Sequence, residues 1–468
     1  MAEDQQLDAQ ASGEGDNWLE RELAGCEFAD ARLGSRYRVL ARQLWDGFGQ
    51  SLPLACQDWA NTKAAYRFFS NERVGEASLL GGHFQSTRER FEASGAPVLV
   101  LHDTTEFSSA ARRAEPGAQS TNGGVLMHSS LVVTPEGLPL GLAAIKFWTR
   151  DTRPAAKASK SKKTTRIPIE DKESCRWLEN LRQSTQCLGE PARCVHIGDR
   201  ESDIFELFDQ AQALGTHFLV RSNQDRRAGD SGHTIAHEMA QVALQGLHHV
   251  EVRNEHGHIV KVALEVRYHR LWVLPPKDKQ ARHERMCLTV IHAQEQGSPV
   301  GRKPIDWKLI TDLAVDSPEQ AIEKLQWYAL RWRIETFHKI LKSGAKAEES
   351  KLTTTERLTN LICVLCILGW RVFWLTMINR ECSNAPAGVA LTPTQVKVLD
   401  HLVPDRHPPT APKDLSHYLI KIARLGGYLA RAGDPPPGNL VIWRGLSRLT
   451  NIVMGMEIGI ASNRLVGN

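Results

Sequence analysis

Between Pro97 and Val133 the chain changes its hydrophobic period, and this change restricts the folds open to it more than any other feature. Pro97-Val-Leu-Val-Leu-His102-Asp103-Thr-Thr-Glu106 reads as a buried strand that ends in an acid. Gly124 to Val133 and Leu138 to Trp148 are two further strand candidates, with Pro135-Glu-Gly137 as the turn between them, so the spacing predicts an antiparallel meander. Arg193-Cys-Val-His-Ile197 is a shorter apolar strand that stops at Gly198-Asp199-Arg200-Glu201-Ser202-Asp203. A helix through Ile204, Leu207 and Phe208 follows, and His217 to Ser222 completes a set of five strands. Strand ends are where such sheets present chemistry, and Asp103 and Asp199 stand at two of them.

The flanks read differently. From Trp18 to about Leu80 the period is helical, with Leu33, Tyr37, Leu40, Ala41 and Leu44 on one side and Arg36, Arg38 and Arg42 interleaved. A second helix runs through Asn61 to Phe69 and leads to Ser70-Asn71. These helices fit a small DNA-reading module or a plain bundle. Asn223 to Lys303 is strand-like again at Glu251–Arg253, Val260–Val266 and Leu288–Ile291, with a hairpin turn expected at Asn254 to Gly257. Beyond Glu348 the pattern is helical, punctuated by Pro393, Pro404 to Lys413 and Pro435-Pro-Pro437. The expected division is a disordered lead at 1–16, a helical DNA-binding domain at 17–90, an α/β core at 95–350 carrying a β-rich insertion at about 223–303, and a helical C-terminal domain at 351–468.

Composition narrows the partners little. The net charge of +4 and pI near 8.5 argue only weakly for nucleic acid, so local clusters must carry that case. Nine cysteines without metal-ligand spacing fit a reducing cytosol, and no structural zinc is expected. Cys363 and Cys366 read as filler of a buried helix, whose apolar run is interrupted by Arg371 short of the ~20 residues a bilayer requires. The acidic start lacks an apolar h-region, so neither a secretory signal nor a transit peptide is expected. Lys157 to Arg166 is a basic loop suited to gripping phosphates or to disorder. His233 and His237 have helical spacing but no third ligand nearby, which favours a surface or packing role.

One late helix carries a chemical face. At about 100° per residue, Tyr328, Arg331, Glu335 and Lys342 fall within roughly 60° of one another, and Trp327, Leu330, Ile334, Phe337 and Leu341 lie opposite. A lone carboxylate among Arg331, Arg333, Lys339 and Lys342 suits a metal-binding acid acting on a phosphate held by the cations. A solvated charged face is the plainer alternative. Asp103, Asp199 and Glu335 are then three acids from a first strand, a later strand and a late helix, the order of an RNase H-like core. Such acids can hold the two divalent cations of phosphodiester chemistry.

The strings Asp103-Thr-Thr, Gly198-Asp199-Arg200-Glu201-Ser202-Asp203 and Tyr328-x-x-Arg331-x-x-x-Glu335-x-x-x-x-x-x-Lys342 resemble bacterial cut-and-paste DDE transposases of the insertion-sequence-four group, in their Tn-five-like form. Supporting similarity runs from Leu33 through Tyr66-Arg67-Phe68, Lys172-Glu-Ser174 and Val220-Arg221-Ser222 to Ile422-Ala-Arg-Leu-Gly-Gly427. His102 and Glu106, the basic loop and the N-terminal region depart from the family pattern.

The resemblance implies an RNase H-like fold in which Asp103, Asp199 and Glu335 bind two Mg²⁺ or Mn²⁺ ions. It implies that Tyr328, Arg331 and Lys342 hold phosphates, with Lys339 beside them, and that Trp307 stacks on a base flipped from the duplex. Read without the family, Trp307 is a core tryptophan. Arg221 is implied to touch DNA backbone, a salt bridge to a core acid being the alternative. The implied partners are double-stranded DNA, as terminal inverted repeats and target, and a second copy of the chain joined through C-terminal helices that include Leu415 to Leu429. The implied location is the bacterial cytoplasm. A metal nuclease on the same fold, or a decayed DNA-binding regulator, would keep much of the same pattern.

Overall fold

The computed structural model describes residues 14–107, 124–150, 169, 172–229, 232–253, 259–297, 299, 301–350, 352, 354–381, 384–405, 413–431 and 433–466. The basic loop at Lys157 to Arg166, the turn at Asn254 to Gly257 and most of the expected lead lie outside the described residues. Residues 14–16 of that lead instead begin a helix.

Among the described residues, five helices come first: α1 (Glu14–Ala24), α2 (Ala31–Asp46), α3 (Leu52–Cys56), α4 (Trp59–Phe69) and α5 (Glu76–Ser94). Asp30 caps α2 by accepting from the Arg32 amide, and Asp58 caps α4 by accepting from Asn61. Tyr37, Leu40, Ala41 and Leu44 of α2 are buried, as their spacing predicts, and Tyr37 stacks on Phe68 of α4 with centroids 5.9 Å apart.

The sheet then begins with β1 (Val98–Phe107), β2 (Val125–Val133) and β3 (Pro139–Thr149), the expected antiparallel meander. Helix α6 (Cys175–Leu188), β4 (Cys194–Gly198), α7 (Phe205–Leu214) and β5 (His217–Arg221) follow. β4 lies parallel to β1, and β5 parallel to β4. The order β3-β2-β1-β4-β5 is that of an RNase H-like core.

The sheet does not stop at the five strands expected from the sequence. It continues through β6 (Arg227–Ala228), β7 (His233–Thr234), β8 (Gly246–Arg253), β9 (Ile259–Val273), β10 (Met286–Glu295) and β11 (Asp306–Thr311), with α8 (Ile235–Ala240) between β7 and β8. β11 pairs antiparallel with β5 through Leu309↔Arg221, Ile310↔Val220 and Thr311↔Leu219, which joins the insertion edge to edge and makes eleven strands. An unpaired β5 edge would leave backbone donors and acceptors open, and β11 closes it.

Next come α9 (Pro318–Ala329), α10 (Trp332–Lys339), α11 (Thr355–Glu381), α12 (Pro393–Leu402), α13 (Leu415–Leu425) and α14 (Asn439–Val466). The single helix expected across Trp327 to Lys342 is two: the amides of Arg331 and Ile334 bond to carbonyls three residues back, and a π turn spans Ile340–Gly344.

Helices cover both faces of the sheet. On one, Leu99, Leu101, Val125 and Ile197 share a core with Phe337, α11 and the N-terminal helices. On the other, α6 and α7 cover Val100, Phe218 and Val220. Helix α11 is long and apolar enough to cross a membrane, yet its apolar window is wholly buried inside the protein. Arg371, expected to interrupt it, is buried there with its guanidinium 4.5 Å from the Trp374 ring. Cys363 and Cys366 are core residues.

Candidate active site and nucleic-acid interface

Alternation along β1 sends Asp103 to the face covered by α10 and His102 to the face covered by α6. Asp103 lies opposite Ser129 of β2. The Ser129 hydroxyl is 2.8 Å from His338 Nε2, and His338 Nδ1 is 3.7 Å from Asp103 Oδ2. His338 follows Glu335 by one turn of α10, so one helix sets both groups over β1.

Asp199 follows β4 directly. Gly198 ends that strand where a Cβ would stand 2.3 Å from Ser202 Oγ and 2.9 Å from Trp177, so only glycine lets the chain turn so tightly. Asp199 Oδ1 accepts from the Glu201 amide at 2.9 Å and caps a short 3₁₀ turn. The neighbouring Asp203 is sealed by Arg226, at 2.9 and 2.5 Å, and by the Asn223 and Gln224 amides. The fused string of acids in the sequence therefore divides into an anchor, Asp203, and a half-exposed carboxylate, Asp199. Glu335 on α10 accepts from Arg331 at 2.6 Å.

Asp103 feels the other two acids. Burial pushes the Asp103 carboxyl up to about 7; Arg331 and the Thr104 amide oppose the rise, and the charges of Glu335 and Asp199 add to it. An acid so placed is fully ionised at neutral pH only beside added positive charge. Among the described residues, the acid and imidazole group whose ligand atoms all lie within 4.8 Å is Asp400, Asp405 and His417, and Lys413 and Lys421 already neutralise it. Asp103, Asp199 and Glu335 stand more widely spaced than that.

Around the acids, Tyr328 is buried and lies beside Arg221 and Arg331; its hydroxyl is pushed up by burial while both cations oppose the rise. Trp307 is half-buried on β11 and meets the Tyr328 ring edge-on, centroids 5.4 Å apart at 71°. Arg221 also donates to the Asp306 carbonyl at 3.0 Å. Lys342 sits with its ammonium 5.8 Å from the Phe107 ring, and Lys339 is exposed.

Sequence reasoning passed over Trp332. It is 61% exposed, with the Arg331 guanidinium 5.1 Å from its ring. The signal was present, because Trp332 falls about 40° from Tyr328 on the same polar stripe. A cleft of about 590 Å³ also opens beside Asp199, lined by Arg200, Arg221, Arg267, His292 and Lys308.

The N-terminal helices present a second surface. On α4, Trp59, Lys63 and Arg67 recur every four residues and are exposed, Trp59 by 77%, while Thr62, Ala65, Phe68 and Phe69 are buried opposite them. Arg36 of α2 fixes this helix by donating to the Asn61 side chain and carbonyl at 2.9 and 2.8 Å.

Residues 15–74 match the family described as transposase DNA-binding. The match covers α1 to α4 and supports DNA as the partner of these helices and a transposase as the kind of protein that carries them. The sequence alone left them open between a DNA-reading module and a plain bundle.

Proposed function

We propose that this chain is a cut-and-paste DNA transposase of the DDE type, related to the insertion-sequence-four group, that cleaves and joins DNA at Asp103, Asp199 and Glu335. The observation that carries the reading is the placement of Asp103 and Asp199 just past the last residues that pair the adjacent strands β1 and β4, with Glu335 one turn before His338 on α10, whose imidazole lies 3.7 Å from Asp103, in a chain whose N-terminal helices match a transposase DNA-binding family.

The donor set fits hard divalent cations, being all carboxylate oxygen and spaced beyond a single 4.8 Å cluster. Two bound Mg²⁺ ions, or Mn²⁺ in their place, would supply nucleophile activation and leaving-group stabilisation for in-line displacement at phosphorus. In the first step water attacks the phosphorus, one P–O bond forms and another breaks, and the 3′-oxygen leaves as a hydroxyl. That 3′-hydroxyl attacks the opposite strand, forming a hairpin end as one P–O bond forms and another breaks; a second water reopens the hairpin, and the regenerated 3′-hydroxyl is the nucleophile of the joining step. Arg331 and Tyr328 hold the phosphate beside Glu335, Lys339 and Lys342 extend the cationic surface, and Arg221 lies where the strand leaves toward Trp307. Trp307 and Trp332 offer faces for an unstacked base.

Trp59, Lys63 and Arg67 of α4 face the duplex of the element's inverted ends. A homodimer forms in the DNA complex. Leu415, Leu419, Ile422 and Ala423 of α13 are buried within the chain, so within Leu415 to Leu429 the dimer contact draws on the exposed Leu429, together with the exposed Leu440, Ile452 and Met456. This assignment puts the protein in the cytoplasm with the chromosome.

The test is incubation of the purified chain with Mg²⁺ and labelled ends of its flanking DNA, beside Asp199→Asn and Glu335→Gln. Metal-dependent 3′ nicking lost in both variants, with end-joining into a supercoiled target, supports a transposase. Nicking without joining indicates a nuclease, and binding with no cleavage in Mg²⁺ or Mn²⁺ indicates a regulator.

A further inference from the structure

Behind the three acids, on the opposite face of the sheet, lies a buried polar chain that the proposed chemistry does not use. His102 Nε2 is 2.8 Å from His196 Nδ1, His196 Nε2 is 3.1 Å from Thr185 Oγ1, and His102 Nδ1 is 3.0 Å from Ser130 Oγ. Asn180 closes the far end with its amide nitrogen 3.0 Å from Ser130 Oγ and 3.1 Å from the His128 carbonyl. His102 is 3% exposed and His196 2%.

The protons along this chain have one order that satisfies every donor. The Thr185 hydroxyl donates to the Leu181 carbonyl at 2.7 Å, so Thr185 accepts from His196 Nε2–H. His196 Nδ1 then accepts, which makes His102 the Nε2–H donor and leaves His102 Nδ1 to accept from the Ser130 hydroxyl. The Asn180 amide, oriented by the His128 carbonyl, donates to Ser130. The bonds run in one direction from Asn180 to Leu181, through two neutral imidazoles, and tie α6, β2, β1 and β4 together.

The position of the imidazole pair gives it a task. Backbone pairing of β1 with β4 ends at Leu101↔Ile197, and Asp103 and Asp199 each lie two residues beyond that point. His196 is paired with Val100, so His102 reaches it diagonally across the place where the two strands part. We propose that the His102–His196 hydrogen bond is a clamp that sets how far β1 and β4 splay, and thereby the separation of Asp103 from Asp199; both histidines are positioning residues. The proposal rests on the reading of those acids as metal ligands.

The test uses the full chain with His102→Leu, His196→Leu, the double variant and His102→Gln, whose amide keeps a donor toward His196. Two readouts are taken: Mn²⁺ affinity by calorimetry, and amide hydrogen exchange without metal over Asp103–Thr105 and Asp199–Glu201. A clamp predicts about tenfold weaker Mn²⁺ binding in either leucine variant, as for other residues that orient metal ligands. It further predicts faster exchange confined to those two segments, no further loss in the double variant, and recovery to within about threefold in His102→Gln. Unchanged exchange there, or acceleration spread evenly over the sheet, overturns the clamp. Local acceleration in a protein whose wild type binds no Mn²⁺ upholds the clamp and overturns the metal reading instead.

Discussion

Arg331 donates to Glu335 at 2.6 Å, one helical turn away, while its charge also reaches Asp103. The guanidinium is thus shared between two of the three acids before any phosphate arrives.

Arg331→Ala is expected to weaken DNA binding and lower the slope of log affinity against log salt by about one, as for one lost phosphate contact. Filter binding across a salt series in EDTA measures this. An unchanged slope would mean that Arg331 serves only its carboxylates.

The exposed stripe of α4 predicts a separable defect. Lys63→Ala and Arg67→Ala should each reduce binding to the element's ends and flatten the salt slope by about one. Trp59→Ala should weaken binding at an unchanged slope, since the indole carries no charge. All three residues are exposed, so thermal unfolding should shift by no more than about 0.5 kcal/mol.

Glu22 is a buried carboxylate 2.5 Å from both His83 Nδ1 and Arg90 Nη1. Burial would raise its pKa, but His83 and Arg90 outweigh that and hold it at about 2, against an ordinary 4.5. Its contribution to stability is therefore complete above about pH 4.5 and is lost as the pH falls from there through 2. Glu22→Gln should cost about 2 kcal/mol at neutral pH, because it removes the charge that His83 and Arg90 face, while Arg90 keeps the Leu140 carbonyl. The variant should also show a shallower acid limb in urea melts recorded from pH 6 to 3, and an identical limb would exclude this residue.

How much of this could be read from residues alone depended on distance along the chain. The buried runs before Asp103 and Asp199 announced two acid-tipped strands, because period, apolar content and terminus all lie within ten residues. The apolar face of α2 and the presence of helix α4 were legible for the same reason. By contrast, β11 joins β5 through pairs such as Leu309↔Arg221, which no local pattern encodes, so the sheet was expected to end at five strands. Nothing within either strand links His102 to His196, and the pair forms only where β1 and β4 lie side by side. The break at Leu330 and Arg331 escaped because neither Gly nor Pro lies nearby to mark it.

Asn360 of α11 donates to the carbonyls of Phe69 and Val74 at 3.1 and 3.3 Å. Asn360→Leu should orphan both carbonyls and cost about 2 kcal/mol. Because α11 belongs to the same core as the N-terminal helices, that loss should appear in one cooperative urea transition reported equally by Trp18 and Trp370. Two transitions, with only the first displaced, would mark the N-terminal helices as a separate folding unit.

The shared interior of α1 to α4, α11 and the acid-bearing sheet has a metric consequence. Modules joined by a tether can read a sequence at one place and cut at variable distances from it, as the tether allows. If Trp59 reads the element's end and Asp103 cuts it, as proposed, the core shared by their helices and sheet makes the molecule itself a ruler. The position of the cut would then be counted in base pairs from the recognised end by a length that neither salt nor loop insertions can stretch.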